Sequence, residues 1–223
     1  MSSPAPASSV TVVAGDAFLA GDLAVPGAAT GMVLFAHGSG SSRHSPRNRA
    51  VASGLNEAGF GTLLLDLLTA SEEHADASTA ALRFDIGLLT RRLTGAVDWL
   101  ADAPQASGLP LGLFGASTGA AAALATAAER PRRAAAVVSR GGRPDLAEPF
   151  LGRVRAPVLF IVGGADTQVA EWNIAASQQL AGPSDVQVIA GAGHLFEEPG
   201  ALDQVTALAA GWLRRHLHRP PES

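Results

Sequence analysis

The chain has 223 residues, 47% of them apolar, which suits one α/β domain with a sizeable core. Sixteen basic against 20 acidic residues give a formal net charge of -4, which argues against the basic face that nucleic acid or an anionic membrane surface requires. Cysteine and tyrosine are absent and all 16 basic residues are arginine, which removes thiol and lysine nucleophiles, Cys-ligated metals and phenolic acids.

Residues 1–9 contain no basic residue and precede no apolar run, so a short disordered tail is expected rather than a targeting signal. Residues 10–13 and 18–25, separated by Gly15-Asp16 and closed by Pro26-Gly27, read as a β-hairpin. The apolar run 32–36 reads as a buried strand; Ser45-Pro46 then caps a helix ending near Gly59, and 62–65 is the next strand. A loop containing Glu72 and Glu73 as solvated charges leads into residues 82–100. There Ile86, Leu89, Leu93, Val97 and Leu100 mark one face of an amphipathic helix.

Short apolar runs at 111–114, 134–138, 158–162 and 186–189 complete the strands, with helical segments between most of them and a last helix over 201–217. Strands alternating with helices imply right-handed crossovers and a mostly parallel sheet buried on both faces. One domain over 10–218 is expected, with a second disordered tail at 219–223. No stretch approaches the roughly 18 apolar residues of a membrane span, and a cytoplasmic location is expected.

Gly115-Ala116-Ser117-Thr118-Gly119 follows the strand 111–114 and opens the alanine-rich stretch 120–128. This is the strand, tight turn and helix context of a G-x-S-x-G nucleophile elbow. A dinucleotide-binding turn is disfavoured, because several strands precede it and no acid occurs near residues 137–140. A serine hydroxyl needs a base, and the base an orienting carboxylate. Asp166 lies in Gly163-Gly164-Ala165-Asp166 after one strand, and His194 in Gly191-Ala192-Gly193-His194 after another. Singly they read equally well as a helix N-cap and a loop histidine, but their order and strand-end positions match a Ser-Asp-His triad. The oxyanion hole is assigned to the N–H groups of Thr118 and Ser39, with Gly38 or Gly40 as alternatives to Ser39 in His37-Gly38-Ser39-Gly40.

Together the H-G-x-G loop, the elbow, the G-G-x-D acid loop and the G-x-G-H loop resemble the α/β-hydrolase superfamily, and within it dienelactone-hydrolase-like members. The resemblance covers residues 33–217. It implies an eight-stranded, mostly parallel sheet with helices on both faces, and a triad of Ser117, Asp166 and His194. The founding dienelactone hydrolases use a cysteine nucleophile, so the serine here shifts the expected substrate from dienelactone towards small carboxylic esters or lactones. A cytoplasmic carboxylesterase working through an acyl-enzyme is expected, without cofactor or metal and as a monomer or homodimer; a thioesterase or acyltransferase, or a non-catalytic binding protein, is the alternative. Only 18 or so residues separate Ser139 from the next strand, room for a short helix at 149–154 and for no large cap domain.

Among the other polar residues, His37 reads as a loop-holding histidine with a lesser role in substrate binding. Arg140, after the strand 134–138, is placed either on a substrate carboxylate or in a salt bridge to a loop acid. Arg43, His44 and Arg47 are expected as solvated charges at the rim, and His216 and His218 as a frayed helix end rather than a metal pair.

Overall fold

The computed structural model describes residues 6–217. Eight strands form one sheet in the order β1 (Ser8–Ala14), β2 (Ala17–Ala24), β4 (Gly61–Leu65), β3 (Met32–Ala36), β5 (Leu111–Ala116), β6 (Ala134–Arg140), β7 (Val158–Gly163), β8 (Ser184–Ile189). β2 is antiparallel to both β1 and β4, and every pairing from β4 through β8 is parallel. The expected hairpin and parallel sheet are both present. The N-terminal tail expected at residues 1–9 gives way to strand at Ser8, and the remainder of both expected tails, residues 1–5 and 218–223, lies outside the described residues.

The seven helices of the described residues are α1 (Pro46–Glu57), α2 (Ala70–Thr79), α3 (Ile86–Asp102), α4 (Thr118–Glu129), α5 (Glu148–Leu151), α6 (Thr167–Ser177) and α7 (Ala201–His216). Alternate side chains of each strand feed opposite faces of the sheet. In β3, Leu34 packs towards α3 and α4, whereas Val33 and Phe35 pack towards α1 and α7. Both layers are apolar, which is why the central strands read as continuous apolar runs rather than alternating ones.

α4 is the central helix. Ala120 through Ala125 and Ala127 have no exposed surface, and their small side chains let the helix lie close against the sheet behind the elbow. No helix of the described residues is long and apolar enough to cross a membrane.

Residues 70–79 correct the expected loop. Thr69 and Glu72 form a reciprocal capping box, the Thr69 hydroxyl accepting from the Glu72 N–H and the Glu72 carboxylate from the Thr69 N–H, which starts α2. Glu72 also pairs with Arg92 at 2.8 Å, so it is structural rather than freely solvated. The expected helix over 82–100 is divided: a 3-10 turn, Leu82–Phe84, comes first, and Asp85 caps α3 by accepting the Leu88 N–H.

Candidate active site

β5 ends at Ala116 and α4 begins at Thr118, leaving Ser117 alone at the corner with φ 51° and ψ -120°. A side chain in that backbone region is strained, and the surroundings must hold it there. The corner is that sharp because Gly115 and Gly119 lack side chains. A Cβ on Gly115 would strike the backbone of Ala120, and one on Gly119 would enter the carbonyls of Ala36 and His37. The Ser117 backbone is pinned as well, donating to Arg140 O at 3.2 Å and accepting from Arg143 N–H at 3.1 Å.

The acid and histidine loops leave the adjacent strands β7 and β8 and pack backbone against backbone. Ala165 N–H donates to Ala192 O at 2.9 Å, and the missing side chain of Gly163 admits the carbonyls of Ala192 and Gly193. Asp166 occupies the N-cap position of α6 without capping it; its carboxylate instead meets His194 Nδ1 at 2.7 Å. A carboxylate can only accept, so the ring proton sits on Nδ1 and Nε2 is left as an acceptor. Ser117 and His194 line one cavity of about 250 Å³, together with Ser39, Arg47, Asn48 and Arg140. Gly141, at φ 51°, lies beside His194, where a Cβ would press on the His194 carbonyl and the Phe196 ring. The three residues expected as a triad are thus brought together at one end of the sheet.

The loop expected to supply the second oxyanion donor departs from expectation at Ser39. The Ser39 N–H donates to the Thr118 hydroxyl at 2.8 Å, so the donor assigned to the oxyanion is engaged inside the protein. The Thr118 N–H, in the first turn of α4, has no helical carbonyl to bond and points from the positive end of the helix dipole. His37 is also internally committed. Leu67 N–H donates to Nε2 at 3.1 Å, leaving the proton on Nδ1, which donates to Gly38 O at 2.9 Å. Both ring nitrogens are used, which removes His37 as a hydrogen-bonding partner of substrate and leaves it tying the oxyanion loop to the segment after β4. Burial holds its pKa below the ordinary histidine value, against the raising effects of the Gly38 hydrogen bond and of Asp66 and Glu73.

Arg140 is buried at 7% exposure, and among the described residues no carboxylate pairs with it. The salt-bridge alternative is therefore not realised. Arg43, expected at the rim, pairs instead with Asp66 and Asp22, and Arg47 with Glu197 at 2.9 Å. The His216 ring packs tilted at 56° against Trp212, centroids 4.3 Å apart, while His218 lies outside the described residues.

Asn173 escaped sequence reading. Fully buried on α6, it donates to Gly142 O at 2.9 Å and Val169 O at 2.7 Å, fixing the loop after β6 beside the site. A second, larger cavity of about 650 Å³ adjoins the first, sharing Gly38, Ser39, Ser41, Ser45 and Arg47. It is further lined by Thr118, Leu67 and Leu89, and by Glu73, Asp76 and Arg83 from the α2 segment.

The sheet order, the strained serine corner and the acid and histidine loops at neighbouring strand ends define an α/β-hydrolase fold. More narrowly, residues 16–216 match the model of the dienelactone hydrolase family, and the chain belongs to that family. A solved dienelactone hydrolase from Anabaena variabilis is 54% identical, with a TM-score of 0.95 over 97% of this chain and 100% of that one. Est1E from Butyrivibrio proteoclasticus shares the fold at 16% identity and a TM-score of 0.77, over 93% of this chain and 98% of that one. A Mycobacterium tuberculosis protein provisionally named a phosphoribosyl transferase is 54% identical over 214 residues. Those residues are 96% of this chain but 47% of the relative, so the chain spans about half the length of that curated protein.

Proposed function

We propose that the protein is a serine hydrolase of small carboxylic esters or lactones. The observation that carries this reading is the 2.7 Å contact of Asp166 with His194 Nδ1, in a loop whose histidine shares a cavity with the strained Ser117. Ser117 Oγ attacks the ester carbonyl as its proton passes to His194 Nε2, and the Asp166 carboxylate stabilises the imidazolium. The carbonyl π electrons move onto oxygen, and the Thr118 N–H donates a hydrogen bond to the resulting oxyanion. The second donor comes from the 38–40 loop, supplied by Ser39 N–H once Thr118 Oγ1 yields it, or by a neighbouring glycine. Collapse of the tetrahedral adduct expels the alkoxide, which takes the proton from His194; water, deprotonated by the same nitrogen, then cleaves the acyl-enzyme and releases the carboxylic acid.

The family membership supports hydrolysis, whereas the phosphoribosyl transferase name belongs to a protein about twice as long. A fluorophosphonate probe together with p-nitrophenyl acetate tests the reading. Wild type is expected to be labelled on Ser117 and to turn over the ester, and Ser117→Ala to do neither. A folded Ser117→Ala protein that hydrolyses the ester at the wild-type rate overturns it.

A further inference from the structure

A separate cavity lies at the end of the sheet remote from Ser117. Its volume is about 320 Å³, and its walls include Met32, Val97, Leu100, Leu109 and Leu111. Met32 opens β3 and Leu111 opens β5, so the cavity sits at the amino ends of the strands, whereas the nucleophile follows the carboxyl end of β5. Leu111 and Ser117 are six residues of extended chain apart, about 20 Å, too far for one small molecule to touch both.

Two kinds of surface meet there. The aliphatic walls belong to the core: Met32 and Val97 are 1% exposed and Leu100 is 3% exposed. No lining residue has a buried polar side-chain atom without a partner. The backbone of the loop between α3 and β5 is engaged with itself and with β3: Ala106 N–H donates to Ala103 O, Leu109 N–H to Ala106 O and Met32 N–H to Pro110 O. Water inside would find few groups to bond, and hydrocarbon would leave none of these groups unsatisfied.

The charged side chains on the lining are Arg132 and Arg133, from the turn between α4 and β6. Both are exposed, so they stand where the cavity meets solvent. Among the described residues neither guanidinium has an ion-pair or hydrogen-bond partner. Asp98, a carboxylate that feels the charge of Arg133, is held through both oxygens by Arg130, at 3.0 and 2.8 Å. Solvated arginines are ordinary on a protein surface. At the opening of an aliphatic cavity they complement a molecule with an anionic head and a hydrocarbon tail.

At about 30 Å³ per heavy atom, a cavity of this volume takes about ten atoms. Its walls carry no aromatic ring and no hydroxyl, which suits a plain alkyl chain. We infer that this cavity binds an unbranched aliphatic carboxylate of about eight carbons, its chain against Met32, Val97 and Leu100 and its carboxylate at Arg132 and Arg133. The site is distinct from the serine chemistry and stands or falls independently of it.

Calorimetric titration of the full chain with sodium octanoate, sodium butanoate and 1-octanol tests the assignment. Octanoate is expected to bind one to one and to exceed butanoate by about a hundredfold, from roughly three- to fourfold for each of four further buried methylenes. It should exceed octanol by about fivefold, the upper range for a solvent-exposed ion pair. Arg132→Gln combined with Arg133→Gln should remove that margin and leave octanol binding unchanged. Ala101 also lines the cavity from α3, and Ala101→Leu should weaken octanoate by about tenfold or more while ester hydrolysis stays at the wild-type rate. No saturable octanoate binding up to about 10 mM, equal affinity for octanol, or wild-type affinity in Ala101→Leu overturns the inference.

Should a variant fail to fold, the wild-type protein decides the matter through its methionines. The chain has two, and Met32 lines the cavity. With the methionine methyl carbons labelled, the Met32 resonance should shift saturably with octanoate. Octanoate that binds and leaves that resonance unmoved sits elsewhere, and the assignment falls.

Discussion

At the residue scale, the site depends on which atom of each polar group is already spoken for. Asp166 accepts from His194 Nδ1, and an asparagine there can offer its amide N–H to that nitrogen and stabilise the wrong tautomer. Asp166→Asn is expected to lower kcat on p-nitrophenyl acetate by on the order of 10⁴, less than Ser117→Ala or His194→Ala, with the fold intact by circular dichroism. His37 gives a prediction for stability instead. Its folded pKa lies below the unfolded value of 6.5, so between the two the unfolded chain binds more protons and stability rises with pH. Stability should accordingly fall as pH drops below about 6.5, by at most about 1.4 kcal/mol per pH unit from this group. Thermal unfolding from pH 7.5 to 5 would show a flatter acid limb for His37→Asn than for wild type, and identical limbs would remove His37 as the cause.

At the scale of elements, the loops bearing Ser117 and Asp166 were legible because each follows a continuous buried apolar run, that bearing His194 because it follows the shorter run 186–189 interrupted by Gln187, and a G-x-S-x-G pattern between strand and helix has few structural meanings. The engagement of those residues was not legible. That Thr118 Oγ1 takes the Ser39 N–H, 79 residues away in sequence, and that no carboxylate of the described residues pairs with Arg140, are facts of tertiary placement with no local signature. α2 escaped for a different reason. Its only apolar side chains are alanines, so it lacks the periodic stripe that marks α3, although Thr69 and Glu72 at capping-box spacing were a readable sign of its start. The elbow itself has the narrowest tolerance of any element. Gly119→Ala places a methyl group inside two backbone carbonyls that cannot retreat without moving β3, and a loss of at least about 2 kcal/mol of stability is expected, together with activity. Urea unfolding of the variant checks this, and a wild-type midpoint would mean the loop gives way more easily than its packing suggests.

At the scale of the whole molecule, the carboxyl edge of the sheet opens into a cleft walled on one side by residues 37–47 and on the other by Glu73, Asp76 and Arg83 of the 70–84 segment. The larger cavity mixes Leu67, Leu68 and Leu89 with serines, Glu73 and the Asp76–Arg83 pair. Such walls recover little of the roughly 0.8 kcal/mol per methylene that burying an acyl chain can give. Across p-nitrophenyl esters from acetate to palmitate, kcat/KM should peak at the short end, and a maximum at palmitate would require an apolar channel this cleft lacks. The 70–84 wall has a further property. The one buried residue of α2 is Asp76, tied to Arg83 at 2.5 Å, and a second tether runs from Glu72 through Arg92 to Asp16 at the turn of the N-terminal hairpin. Since Asp16 is 95% exposed at its side chain, that outer tether is open to dissolved electrolyte, whose screening length shrinks from about 10 Å at 0.1 M to about 3 Å at 1 M. Ionic strength thus becomes a dial on the mouth of the cleft: amide hydrogen exchange in residues 70–79 should quicken as sodium chloride is raised across that range while α4 stays protected, so brine loosens the doorway and leaves the hearth untouched.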